Sequence, residues 1–266
     1  MAGGKSTAGK NAPGKNAQHG AREGRSVEKG SGPEPQEDGH GGAPGKPGHF
    51  PVVGIGASAG GLEALGELLK HMPSDTGMAF VVVTHQHPGH ASLLPELLDK
   101  ETAMTVIEAT DGTTLKPDHV YVAPPAGHLE LLNGRLQWMK NEMKEAPRLR
   151  IDYFFRSLAA DQHEHAICIV LSGTGTDGTL GMKAVKGESG MSMVQQPQSA
   201  KYAGMPSSAI ATGLADYVLP PAAMPAQLVA YARGPYLTAA TVAADGPAVS
   251  PEPMQKIFVL LRGRTG

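Results

Sequence analysis

From Phe50 onward the chain alternates short apolar runs with segments of helical periodicity, and this alternation restricts the fold more than any other feature. The runs 51–57 (PVVGIGA), 78–85 (MAFVVVTH), 104–109 (MTVIEA), 119–124 (HVYVAP), 166–172 (AICIVLS), 191–196 (MSMVQQ) and 216–220 (DYVLP) read as strands. Between them, 61–71, 90–100, 150–162, 179–189, 206–213 and 224–232 read as helices. In the first of these, Leu62, Leu65, Leu68 and Leu69 fall on one stripe. Strands that are apolar throughout need cover on both faces. The expected fold is therefore α/β: a doubly wound, mainly parallel sheet with helices on both faces. Asn133-Gly134, set inside the apolar stretch 129–139, adds a small antiparallel hairpin.

The flanks differ in kind. Residues 1–48 are mostly Gly, Ala, Lys, Pro, Glu and Ser, with almost no large apolar side chain. Such a segment cannot bury enough surface to offset its ordering entropy and is expected to be a disordered polar tail. Residues 49–234 are expected to form one domain of ordinary size. Residues 235–266 return to Ala, Gly, Pro and Thr and carry an apolar patch, IFVLL, near their end; they form a C-terminal tail without an assigned role.

The formal net charge of −2 gives no reason to expect nucleic acid or an anionic membrane as partner. No stretch approaches the roughly 20 apolar residues that span a bilayer, and no apolar leader follows the N-terminal lysine. A cytoplasmic protein without membrane insertion is the expectation. The single cysteine, Cys168, excludes an intramolecular disulfide and, inside AICIVL, reads as a buried, inert thiol.

The first strand–turn–helix fits two templates. Gly54-x-Gly56-x-x-Ala59 matches a loose dinucleotide fingerprint, and Gly56-Ala57-Ser58-Ala59-Gly60 matches a nucleophile elbow. A dinucleotide site needs an acid at the end of the second strand, where this chain has His85. A serine nucleophile needs a base, itself oriented by a third group. In a parallel sheet those partners lie past the carboxyl ends of neighbouring strands. His85 stands at such an end, and Asp177 lies in the loop GTGTDGTLG (173–181) after another. The chain order Ser, His, Asp differs from the Ser, acid, His order of α/β-hydrolases.

A histidine-based metal hydrolase is a weaker alternative. His85, His87 and His90 have an H-x-H-x-x-H spacing, and His163 and His165 follow later, but Gly89 stands where an acid would be expected. No metal and no cofactor is expected.

The motifs GIGASAGGLEAL, FVVVTHQHPGHASLLPELL, VYVAPPAGHLEL, IDYFFRSLA, IVLSGTGTDGTLGMKAVK and YAGMPSSAIATG occur in the order found in the catalytic domain of CheB-type chemotaxis methylesterases. The resemblance covers roughly residues 50 to 233. It implies a doubly wound parallel α/β fold and hydrolysis of glutamate γ-methyl esters on the cytoplasmic helices of chemoreceptors; many members also deamidate receptor glutamines. By motif, Ser58 is the implied nucleophile, His85 the base, with His87 as fallback, and Asp177 the orienting acid. Backbone N–H groups of Ala59 and Thr174 are the implied oxyanion donors.

The chain departs from the family pattern at several points. Thr174 replaces a common methionine, and Gln196 stands where an acid is common. HQHPGH resembles versions in proteins that fuse esterase and methyltransferase modules, so a partner methyltransferase or regulator is a further expectation. Stand-alone members often carry a phosphoacceptor receiver domain upstream, where this chain has the polar tail. Constitutive activity, partner-controlled activity or activity devoted to another pathway is expected in its place. The alternative from another class is a non-catalytic binding or regulatory module of a chemosensory-like pathway.

Overall fold

The computed structural model describes residues 50–86, 92–139 and 149–234. The expected tails, the start of the 90–100 helix, and His87 and His90 lie outside the described residues. Strands β1 (Val52–Ala57), β2 (Ala79–Thr84), β3 (Thr105–Glu108), β5 (His119–Val122), β8 (Ala166–Val170), β9 (Met191–Gln195) and β10 (Tyr217–Leu219) form one sheet in the order β10-β9-β8-β1-β2-β5-β3. All its pairings are parallel. From β1 the chain passes to β2, then to the edge strand β3 and back to β5, all on one side, before it returns to the other side of β1 at β8. The switch point of the doubly wound sheet therefore lies between β1 and β8, where such folds place their sites.

The hairpin β6 (His128–Leu132)–β7 (Arg135–Met139) is present, but it joins a separate antiparallel sheet with the short β4 (Thr113–Thr114). Asn133 and Gly134 both adopt positive φ, 52° and 68°, as a tight two-residue turn requires. A two-residue strand such as β4 is too brief to leave a periodicity in the sequence.

Two apolar layers cover the main sheet. On one face, Leu65, Leu68 and Leu69 of α1 (Gly61–Lys70), Leu98 of α2 (Leu94–Asp99) and Leu228 of α6 (Met224–Ala232) pack against Val53, Ile55 and Phe80. On the other, Phe154, Phe155 and Leu158 of α3 (Arg150–Gln162), Met182 of α4 (Thr179–Gly187) and Met205 of α5 (Gly204–Ile210) pack against Val52, Val81 and Cys168. Cys168 is fully buried, and burial pushes its thiol pKa up, away from reactivity. The expected start of α5 at residue 206 falls two residues late. Leu62, expected on the core stripe of α1, is 46% exposed.

The glycines of β1 have a packing reason. A β-carbon at Gly54 would stand 2.8 Å from Leu158 Cδ2, and one at Gly56 would collide with Ile151. Both glycines let α3 lie close on the centre of the sheet, so the fingerprint-like spacing reflects helix–strand contact. Gly56→Val is expected to lower stability by about 1–3 kcal/mol through overpacking. The check is a reduced urea midpoint at unchanged m-value.

Candidate active site

Ser58 follows β1 directly, in a turn whose Gly60 has φ 71° and precedes α1. The turn is fixed by its backbone. Ser58 N donates to Ser172 O at 2.9 Å, and Gly61 N donates to Ser58 O at 2.8 Å. His85 follows β2, and Asp177 lies between β8 and α4. Adjacent pairing of β2, β1 and β8 brings these three loops side by side at the carboxyl edge of the sheet.

The three side chains form a continuous chain of hydrogen bonds. Ser58 Oγ and His85 Nδ1 are 3.1 Å apart, and His85 Nε2 lies 2.9 Å from Asp177 Oδ2. The ionised carboxylate can only accept, so Nε2 carries the ring proton, and Nδ1 is left to accept from the serine hydroxyl. The imidazole is 33% exposed, whereas Asp177 is buried. The acid is shielded while the base and nucleophile face the opening.

Asp177 is held from behind by helix ends. Oδ2 accepts from Ile151 N at 3.0 Å, and Oδ1 accepts from Asp152 N and Gly178 N, each at 2.9 Å. Ile151 and Asp152 belong to the first turn of α3, whose free N–H groups and dipole favour an anion. Burial pushes the carboxyl pKa up. The hydrogen bonds from His85, Asp152 N and Ile151 N outweigh that effect and hold Asp177 below the usual carboxylate range. Asp152 returns the contact: its Oδ1 accepts from Gly181 N in the first turn of α4 at 2.7 Å. Burial pushes the Asp152 carboxyl up, with partial opposition from the Gly181 N–H.

The expected oxyanion donors are open. Ala59 and Thr174 are exposed, and neither backbone N–H donates to an acceptor among the described residues. Gly173 separates Thr174 from the strand end. A β-carbon there would collide with Met205 and stand 2.9 Å from Ser58 Cβ, so only glycine lets the two loops approach this closely.

Sequence reasoning missed the supports. Ser172 is buried; its hydroxyl donates to Ala59 O at 2.9 Å and accepts from Tyr202 N at 3.0 Å. Gln195 Oε1 accepts from Ser172 N at 2.8 Å. Arg150 is 2% exposed and donates to the carbonyls of Thr84, Pro124 and Pro125, tying the residue before His85 to the start of α3. Burial lowers the guanidinium pKa, against the opposing pull of the Asp177 carboxylate. One signal was available: a cation in the first turn of a helix opposes the dipole and calls for a reason to be there.

Among the described residues no group of His, Cys, Asp and Glu could hold a metal ion. His163 Nδ1 meets Glu188 Oε2 at 3.0 Å, away from His85. Nor does a described helix have the length and apolarity to cross a membrane.

The architecture is a doubly wound α/β sheet with an elbow serine at its switch point, backed by a histidine and a buried aspartate. The family model for CheB methylesterase matches residues 53–228, and the chain belongs to that family. It is 35% identical over 174 residues to protein-glutamate methylesterase/protein-glutamine glutaminase 2 of Xanthomonas oryzae pv. oryzae, covering 64% of this chain and 48% of that protein. A relative from Thermotoga maritima, called protein-glutamate methylesterase/protein-glutamine glutaminase, is 34% identical over 182 residues, covering 67% of this chain and 53% of its own. The crystal structure of the Thermotoga maritima CheB methylesterase catalytic domain superposes with a TM-score of 0.63 at 33% identity, covering 68% of this chain and 98% of that domain. The chain matches about half the length of these curated relatives.

The depressed Asp177 carboxyl has a stability consequence. A carboxyl whose folded pKa lies below its unfolded value stabilises the fold above the unfolded value of about 3.9, and that contribution is lost as pH falls through the folded value. Asp177→Asn is therefore expected to cost about 1–3 kcal/mol at pH 7, the range for buried charge-assisted hydrogen bonds. Urea midpoints measured over a pH series should show the gap to wild type narrowing below about pH 4.

Proposed function

We propose that this chain is a serine hydrolase that removes methyl esters from glutamate side chains of chemoreceptors, with residues 49–234 as its catalytic unit. The observation that carries the reading is the unbroken Ser58–His85–Asp177 chain, with contacts of 3.1 and 2.9 Å, opening to solvent at the serine end.

Ser58 Oγ attacks the ester carbonyl carbon as its proton passes to His85 Nδ1. Asp177 holds the ring through Nε2–H and stabilises the imidazolium that forms. The oxyanion of the tetrahedral intermediate takes the open N–H groups of Ala59 and Thr174, with the N-terminus of α1 close by. Collapse breaks the bond to the methoxy oxygen, which leaves as methanol with the proton from Nδ1. Water then attacks the γ-glutamyl–Ser58 ester, giving its proton to Nδ1. A second collapse returns the proton from Nδ1 to Ser58 and releases the glutamate carboxyl, which loses the second water proton to solvent and leaves as carboxylate. A receptor glutamine would follow the same path with ammonia leaving. The names of the Xanthomonas and Thermotoga relatives, which include both activities, support this extension.

The test is methanol release from a methylated chemoreceptor, with mass spectrometry of its peptides for loss of methyl groups and conversion of Gln to Glu. Wild type is expected to release methanol and Ser58→Ala to release none. Asp177→Asn is expected to lower kcat by about 10⁴, as loss of the orienting carboxylate does in Ser-His-Asp enzymes. Equal release by wild type and Ser58→Ala, or none by wild type, overturns the reading.

A further inference from the structure

The reacting groups open onto an apolar groove between α1 and α2. Its volume is about 370 Å³, and Ser58, Thr84 and His85 lie along it with Leu62, Leu93 and Leu97. These leucines are 46%, 63% and 40% exposed. Leu62 lies on the first turn of α1, four residues after the nucleophile, outside the core stripe that Leu65, Leu68 and Leu69 form. No carboxylate, lysine or arginine is among the described residues that line the groove. Clustered, exposed leucines beside a reacting serine mark a surface that something apolar covers during the reaction.

The length of the substrate side chain says what covers it. A glutamyl γ-carbonyl carbon lies three bonds, about 4 Å, from its own Cα. Attack requires the serine oxygen within about 3–3.5 Å of that carbon. The substrate main chain therefore passes within roughly 7 Å of Ser58 Oγ, over the groove itself. It cannot bind there as an added strand. β1 is paired on both sides, by β2 and β8, and β2 by β1 and β5, so no free strand edge exists at the serine. With no strand to pair with and an apolar surface beneath it, backbone that lies there is favoured when it satisfies its own hydrogen bonds, as an α-helix does. On a helix, the side chains three and four residues from the ester have Cβ atoms about 5–6 Å from its own. Leu62, Leu93 and Leu97 line the same groove as Ser58, so side chains at that spacing meet an apolar wall.

We propose that the groove formed by Leu62, Leu93 and Leu97 reads an apolar side chain one helical turn from the methyl-esterified glutamate of an amphipathic substrate helix. This rests on the esterase reading for the identity of the ester. The leucines act in recognition and do not touch the reacting bond.

The experiment uses binding and turnover separately. The probes are helical peptides that carry one glutamate γ-methyl ester, with leucine, serine or lysine at the third and fourth positions before it in one set and after it in another. Binding is measured by fluorescence anisotropy to full-length Ser58→Ala, alone and combined with Leu62→Gln, Leu97→Gln or Leu97→Glu; turnover is methanol release by wild type. Because the substituted leucines are surface residues, unchanged urea midpoints are expected to certify folding. In one of the two sets the leucine peptide should bind about tenfold tighter than the serine peptide, in line with burial of one apolar side chain. Leu62→Gln or Leu97→Gln should remove that preference, and Leu97→Glu should favour the lysine peptide. Affinities within twofold across all peptides and variants overturn the groove, whatever wild-type turnover shows. Leucine-dependent binding without methanol release by wild type keeps the groove and overturns the esterase reading.

Discussion

The buried Asp177 carboxylate binds one end of α3, the loop before α4 and the imidazole of His85 together. Its two oxygens collect the N–H groups of Ile151, Asp152 and Gly178 as well as the imidazole of His85. One buried anion thus satisfies the start of α3, shapes the loop between β8 and α4, and fixes which ring nitrogen faces the serine. Because Asp152 in turn satisfies Gly181 N at the start of α4, the two helices are joined by exchanged carboxylates. Neither helix can shift without uncovering a buried polar group, which is costly away from water. The same contacts that stabilise the fold therefore hold the acid and base in register.

The nucleophile is supported through the opposite edge of the switch point. Gln195 on β9 holds Ser172, Ser172 holds Ala59 and Tyr202, and the Ser172 carbonyl accepts the Ser58 N–H. Gly173 permits the close approach, and Gly54 and Gly56 permit α3 to lie against β1. Arg150 bridges the remaining gap, binding the carbonyl of Thr84 just before His85 to the start of α3. Ser58 and Asp177 are thus held by backbone N–H and carbonyl groups, and His85 through the residue before it, the kind of support under which short polar contacts keep their geometry.

The parallel sheet, its helices and the hairpin were legible in the residues because each leaves a local pattern: continuous apolar runs, helical spacing, Asn-Gly. Ser58, His85 and Asp177 were legible as candidates because each lies just past or in the loop after a strand end, and strand ends in such folds converge. Other features leave no such trace. β4 is held by a partner strand and is too short for a period. Leu62 carries the spacing of a core residue, yet it lines the open groove beside Ser58. Ser172 and Gln195 resemble any polar residues at the ends of strands until the hydrogen bonds between them are seen.

The order and type of elements, the layering of apolar faces and the positions where chemistry could gather are written in the local residue pattern, because hydrophobic period and turn chemistry act over a few residues. Which nitrogen of His85 faces Ser58, why Gly54 and Gly56 stand in β1, and how a buried arginine finds its acceptors are settled only by the packed fold. Those outcomes depend on groups tens of residues apart in the chain. Their contacts exist only once β8 has returned to the side of β1 and α3 has closed over both.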